Sequence, residues 1–238
     1  MSSYILSGEH ISKRYGKNLV LRDVSIHLKQ GEIYGLIGKN GSEKTTLLRI
    51  LSGLIPGYGG KVTIGNIDKP ECRIAAVINA PGLFLNMTAF ENMKEQTILL
   101  GLHDDIDIKH TLKIIGLEEK ADILVRDFSL GMVQRLKLGM ALLEKPDILI
   151  LDEPVNGLDP DGIADLRELL HQLNRECGMT ILVSSHILSE LEHTASCFGI
   201  LHNGEIIKEI SIQEIHQNNS TLESVYLQYT KGGVCRNA

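Results

Sequence analysis

The 238-residue chain has no long hydrophobic run, and no stretch approaches the ~20 apolar residues that span a bilayer. Its opening residues, MSSYILSGEH, carry neither a basic head nor an apolar segment of signal-peptide length. A cytosolic chain is therefore expected, with any membrane role exercised through a partner. The four cysteines, Cys72, Cys177, Cys197 and Cys235, lie far apart and form no C-x-x-C pair. Zinc and iron–sulfur sites are accordingly not expected; buried or idle thiols in a reducing compartment are. There is no excess of basic charge, with 24 Lys and Arg against 30 Asp and Glu and a net charge of −6. This balance disfavours a nucleic-acid partner, because phosphate backbones select basic faces. No internal repeat or low-complexity tract is present.

What remains is ordinary globular material, 43% hydrophobic and 23% charged, long enough for one sizeable domain or a core with a subdomain. Strand-like runs dominate the first part: YILSGEHISKRY, LRDVSIHLKQGE and IYGLIG, the last a compact apolar run ending in glycine. TTLLRILSGL follows with helical spacing of Leu47, Ile50, Leu51 and Leu54, and KVTIG and RIAAVIN read as further strands. From 82 to 145 the character changes, and TAFENMKEQTILLGL, IDIKHTLKIIGL and LGMVQRLKLGMALLE all read as helices. Strands resume with DILILDEP and MTILVSSH, separated by a helix from about Asp161 to Cys177. A helix ILSELEHTA and a hairpin CFGILHNGEIIKEI follow, with Asn203-Gly204 at the turn. The expected division is an α/β core at 1–81 and 146–210, a helical insertion at 82–145 and a C-terminal tail at 211–238. That tail carries one short helix, TLESVYLQYT, and a fraying end. Alternating strands and helices imply a largely parallel sheet, whose ligands bind at the carboxyl ends of its strands.

One such end carries GKNGSEKTT, residues 38–46. The spacing is that of a phosphate-binding loop, G-x-x-x-x-G-K-[ST], except that Glu43 stands where the second glycine is expected. Backbone N–H groups of Gly38, Lys39, Asn40, Gly41, Ser42 and Glu43 can converge on phosphate oxygens, and the following helix N-terminus adds its dipole. In this reading Lys44 contacts the β- and γ-phosphates and Thr45 ligates Mg²⁺, with Thr46 the last of the nucleotide-binding residues. The plainer alternative is an incidental glycine-rich turn. A second strand end weighs against it: ILILDEP ends in Asp152, suited to Mg²⁺, and Glu153, suited to polarising an attacking water.

Between these motifs lies FSLGMVQR, and here the whole pattern, over roughly residues 4–210, resembles the ATP-binding subunits of ABC transporters. The resemblance implies a phosphate-loop NTPase core with a mostly parallel sheet, an N-terminal antiparallel β subdomain and an inserted helical subdomain. Ser129, Leu130, Gly131 and Met132 are similar to the family's signature loop, which acts on the ATP held by a partner subunit. Leu130 and Met132 depart from its commonest form, LSGGQ, in a way frequent in the branch that exports antimicrobial peptides. Tyr15 matches the aromatic that stacks on adenine, although a partly exposed strand tyrosine explains it equally well. Asp159, in NGLDP, resembles the loop bridging the two subunits, and His186 the switch histidine at the γ-phosphate. Asn79 stands where the family places a Mg²⁺-coordinating Gln or Glu, one methylene shorter than Gln.

The function implied is an ATP hydrolase, with ATP and Mg²⁺ as ligands and Glu153 and His186 as catalytic residues. By that resemblance it would act as a homodimer or heterodimer on an integral membrane permease that exports an antimicrobial peptide or drug, and would sit on the inner face of the membrane. The alternative is a hydrolysis-impaired partner subunit, because of Glu43. A carboxylate about 5 Å from a phosphate costs roughly 3 kcal/mol at an effective dielectric of about 20. Offset by Mg²⁺ and Lys44, a net loss of about 1–4 kcal/mol would weaken binding about 5- to 1000-fold. Pairing of Glu43 with Lys44 or Lys39, holding the loop closed, is the other expectation. A soluble ATPase acting on ribosomes or DNA fits poorly, since the chain has neither a second ATP-binding domain nor a coiled-coil insertion.

Overall fold

The computed structural model describes residues 4–65, 69–78, 82–102 and 108–231. Two long antiparallel strands open the chain, β1 (Tyr4–Tyr15) and β2 (Asn18–Lys29). With β4 (Gly59–Ile64) on the other side of β1 they form a three-stranded antiparallel sheet, ordered β2-β1-β4. The second sheet has six strands. In spatial order they are β5 (Ile74–Val77), β6 (Ile148–Asp152), β7 (Thr180–Ser185), β3 (Ile33–Ile37), β8 (Cys197–His202) and β9 (Glu205–Ser211). All pairs are parallel except the β8–β9 hairpin. Every residue of β3 and β7 is buried, as strands covered on both faces require. Because β6, β7 and β3 are neighbours, the loops leaving their carboxyl ends converge on one place.

The hairpin turn is as the sequence predicts. Asn203 (φ 50°) and Gly204 (φ 78°) take the left-handed pair that a two-residue type I′ turn needs. Gly199 serves a different end: a Cβ there would lie 2.2 Å from the Tyr34 hydroxyl. The space it leaves lets the buried Tyr34 donate to Glu209 Oε1 at 2.6 Å.

Helices cover the sheet. α1 (Lys44–Leu51) leaves the loop after β3. Residues 82–145 contain α2 (Ala89–Leu99), α3 (Ile108–Ile114) and α4 (Leu130–Leu142), and among the described residues no strand beyond one Thr88–Leu124 bridge. A capping box starts α2, with Thr88 accepting from the Glu91 N–H and Glu91 from the Thr88 N–H. α5 (Pro160–Cys177) opens on the Asp159 cap with Pro160 in its first turn and closes at Gly178, φ 63°. α6 (Leu188–Thr194) follows β7.

The segment after 210 differs from the expected tail. A capping box at Ser211 and Glu214 starts an unanticipated α7 (Ile212–Gln217), and α8 (Leu222–Lys231) follows. Ile215, Leu222, Val225 and Tyr226 join the same buried cluster as the sheet residues Ile33, Ile37 and Phe198. Through Lys231 this segment is part of the packed body, because its apolar residues fall on faces that meet the sheet's covering helices. Among the described residues no helix is long and apolar enough to cross a membrane. Cys72, Cys177 and Cys197 are free thiols. Burial first, with Asp147 second, pushes the Cys72 thiol up to about 11. Burial, aided by Glu32 and Glu209, pushes Cys197 up to about 12.

Candidate functional site

The loop 38–46 leaves the carboxyl end of β3 and runs into the first turn of α1. Its first glycine is imposed by packing: a Cβ on Gly38 would fall 2.2 Å from Ser42 Oγ and 2.8 Å from the Leu201 carbonyl. Gly41 (φ 78°) and Glu43 (φ 73°) are both left-handed. Such alternation turns successive N–H groups toward one concavity, a nest suited to an anion. Glu43 immediately precedes α1, so the unpaired N–H groups of the first helical turn point the same way. Ser42 Oγ is buried without a hydrogen-bond partner, a donor left for a ligand in the loop.

Position 43 therefore asks for a left-handed residue, which glycine supplies freely and glutamate adopts at about 1–2 kcal/mol. The expected pairing of Glu43 with Lys44 or Lys39 is not what forms. Glu43 Oε2 accepts from Thr46 Oγ1 at 2.9 Å, so the carboxylate is engaged on the first turn of α1. Lys44, 6% exposed, instead donates to the Gly38 carbonyl at 2.7 Å and lies 3.0 Å from Glu153 Oε1.

The two acids at the end of β6 are fixed by the neighbouring strands. Asp152 Oδ2 accepts from Thr45 Oγ1 at 2.6 Å, and Asp152 Oδ1 from Ser184 Oγ at 2.7 Å. Ser184 Oγ in turn accepts from the Glu153 N–H at 3.0 Å. Glu153 is itself left-handed (φ 50°), strain of the kind that concentrates at functional sites. Its other oxygen, Oε2, lies 2.6 Å from His186 Nδ1. Burial alone would raise the Glu153 carboxyl, but hydrogen bonds from Lys44 and His186 outweigh it and hold it below the usual carboxylate range. Glu153 is thus ionised at neutral pH, as a group that polarises water must be.

A cleft of about 430 Å³ runs along these groups, lined by Asn40–Thr45 together with Asp152, Glu153, Gln134 and Lys137. Burial lowers the Lys137 ammonium below its ordinary value. Thr45 and Asp152 together offer the hard oxygen donors that Mg²⁺ takes, and no cluster of three or more His, Cys, Asp or Glu ligands occurs among the described residues. That set fits Mg²⁺, which draws most of its shell from water and phosphate, and not a protein-caged metal.

Other predicted residues lie apart from this cleft. Ser129 caps α4 by accepting from the Met132 N–H at 3.3 Å, and Asp159 caps α5 by accepting from the Gly162 N–H at 2.8 Å. Leu130, Gly131 and Met132 share with Asp159 a second cleft of about 420 Å³. Tyr15 stands 47% exposed at the end of β1. Asn79 lies outside the described residues. Ser184 was missed: the SS of VSSH reads as the polar end of a buried strand, and only the β6–β7 register sets it opposite Asp152.

A phosphate loop at a strand end, with paired acids on the next strand but one, defines a P-loop nucleotide hydrolase. The sequence profile of the ABC transporter family matches residues 21–156, more than half of the chain. The chain belongs to this family, as an ATP-binding subunit and ATPase. It is 41% identical over 223 residues to a bacitracin transport ATP-binding protein of Bacillus licheniformis, covering 91% of this chain and 73% of that one. It is 40% identical over 208 residues to a lantibiotic transport ATP-binding protein of Streptococcus pyogenes, covering 86% and 90%. The solved structure of an ATP-binding subunit of an ABC transporter superposes with a TM-score of 0.78 at 29% identity, covering 94% of this chain and 99% of that one.

Proposed function

We propose that this chain drives the export of an antimicrobial peptide of the bacitracin or lantibiotic kind through a separate permease. ATP-binding subunits of this family dimerise and work with membrane permeases; pairing with a second copy of this chain, on the cytoplasmic face of the membrane, is the arrangement we infer. The cargo reading rests on what the two relatives are named for and on the resemblance of this chain's own SLGM, residues 129–132, to the signature loop of the peptide-export branch.

In this reading the loop 38–46 and Lys44 bind the triphosphate, and Tyr15 stacks on the base. Thr45 and Asp152, with Asn79, hold Mg²⁺, which when bound supplies charge neutralisation on the phosphates. Glu153 accepts the proton of the attacking water, and His186, hydrogen-bonded to Glu153, orients it and reaches the γ-phosphate. Ser129–Met132 act on the partner's nucleotide, Asp159 bridges the subunits, and residues 82–145 form the subdomain that meets the permease. The single observation carrying the reading is the chain Lys44–Glu153–His186, which joins phosphate ligand, base and switch within hydrogen-bond reach.

The test is turnover and binding of Mg-ATP by the purified chain beside Glu153→Gln. Loss of turnover with ATP binding retained is expected; undiminished turnover in Glu153→Gln overturns the assignment of the base. A second reading, an impaired subunit that needs a competent partner, is favoured by one observation: Glu43 lines the same cleft as Lys44 and Thr45. Turnover that appears only when a second ATP-binding subunit is added would select it.

A further inference from the structure

Lys13 takes no part in the nucleotide chemistry described above, yet it is held in an uncommon way for a lysine. It is 8% exposed, on a strand whose charged neighbours face solvent. Buried ammonium groups persist only with partners. Two of its donors go to backbone carbonyls, Pro56 O at 2.7 Å and Gly57 O at 3.0 Å. Its ammonium also lies 5.3 Å from the centroid of the Tyr15 ring, within the reach of a cation–π contact. No ion pair to a carboxylate is formed by Lys13 among the described residues, so the ring face and the two carbonyl dipoles are what compensate the charge.

The connection matters because of what each end is attached to. Tyr15 ends β1 just before the turn at Gly16, φ 57°. Pro56 and Gly57 belong to the short connection after α1, the helix whose first turn closes the phosphate loop. Lys13 therefore ties the exposed tyrosine to the far end of the phosphate-binding helix. The ammonium lies over one face of the ring, and the residue as a whole is 47% exposed.

We propose that Lys13 is a positioning residue for nucleobase binding, fixing the plane of Tyr15 so that its open face receives the purine ring of a nucleoside triphosphate. The proposal rests on the reading of Tyr15 as the base-stacking residue. It makes the contribution of Lys13 specific to the base and silent toward the phosphates. Simple packing would not do so, because loss of a buried strut loosens the loop for any phosphate ligand.

The experiment is calorimetric titration of the full-length chain with ATP and with inorganic tripolyphosphate, which has the phosphates and no base. The variants are Tyr15→Ala, Lys13→Met, Lys13→Gln, which keeps donors for the two carbonyls without the charge, and the Lys13→Gln/Tyr15→Ala double variant. Base stacking predicts that Tyr15→Ala weakens ATP about 10-fold and leaves tripolyphosphate unchanged. Lys13→Met and Lys13→Gln should weaken ATP about 3- to 10-fold, again with tripolyphosphate unchanged, and the double variant should be no weaker than Tyr15→Ala alone. If Tyr15→Ala binds ATP as the natural chain does, the stacking reading falls and this proposal with it. If Tyr15→Ala weakens ATP but both Lys13 variants do not, or if they weaken tripolyphosphate equally, only the role of Lys13 is overturned.

Discussion

Glu43 and Thr46 close a hydrogen bond of 2.9 Å across the first turn of α1, with the threonine hydroxyl donating to Glu43 Oε2. This contact decides how the departure from the phosphate-loop spelling is to be weighed. The carboxylate lines the cleft but is engaged on the helix side, and Lys44 keeps its own partners.

Glu43→Gly is therefore expected to act more on stability than on affinity. Releasing a left-handed glutamate gains about 1–2 kcal/mol, offset by the lost hydrogen bond and the freer unfolded chain. A rise in Tm of about 2–4 °C per kcal/mol is the scale for a chain of this size. ATP affinity should improve by no more than about 10-fold. Calorimetry and ATP titration check both, and a 100-fold gain in affinity would show that the carboxylate does face the phosphates.

Ser184→Ala removes the hydroxyl that bridges Asp152 Oδ1 and the Glu153 N–H. Outer-shell partners of this kind typically cost about 10- to 100-fold when removed. The loss is expected in kcat, with the Kd for ATP unchanged within about twofold. Steady-state turnover set beside ATP binding measures the split; an equal fall in both would mean that Ser184 serves only the fold.

His27 should give the protein a pH-dependent component of stability. Its Nδ1 lies 2.8 Å from Glu209 Oε2 and its Nε2 3.0 Å from Glu9 Oε1, with the Tyr4 ring 5.0 Å away and Tyr34 sharing Glu209. Burial lowers the imidazole, but the two carboxylates outweigh it, Glu209 first, and the net shift is upward. A raised histidine contributes fully below its unfolded value of about 6.5, and the contribution is lost as pH rises through the folded value. His27→Gln should thus lower Tm more at pH 6 than at pH 8.5. Equal losses at the two pH values would contradict the assignment.

Gly38→Ala should be the most damaging single methyl in the loop. Its Cβ would meet Ser42 Oγ at 2.2 Å and the Leu201 backbone at 2.8 Å, so β8 or the loop must move. Overpacking of this kind costs about 1–3 kcal/mol. A fall in Tm together with loss of ATP binding is expected by thermal melting and titration.

Much of this was readable from the chain because it depends on local pattern. IYGLI and ILIL are apolar runs of strand length, and Asn203-Gly204 can hardly be anything but a tight turn. α7 was overlooked although Ser211 and Glu214 spell a capping box, because its six residues bury only Ile215 and give no periodic stripe. Ser184 and Lys13 could not be read, since the partners of one come from β6 and of the other from the loop after α1. The direction of the Glu43 side chain was equally hidden. It rests on a hydrogen bond to Thr46 and on a left-handed backbone angle at 43, neither of which a glycine-to-glutamate spelling declares.

That angle separates two glycine positions that a motif writes with one letter. At 38 the constraint is volume, and no side chain fits. At 43 the constraint is handedness, which a side chain can meet at a modest cost in stability. A side chain at 38 must displace the Leu201 backbone, whereas one at 43 asks only about 1–2 kcal/mol of the domain's stability. A search that insists on both glycines would discard chains of this kind as defunct, while one that insists on Gly38, Lys44 and the paired acids would keep them.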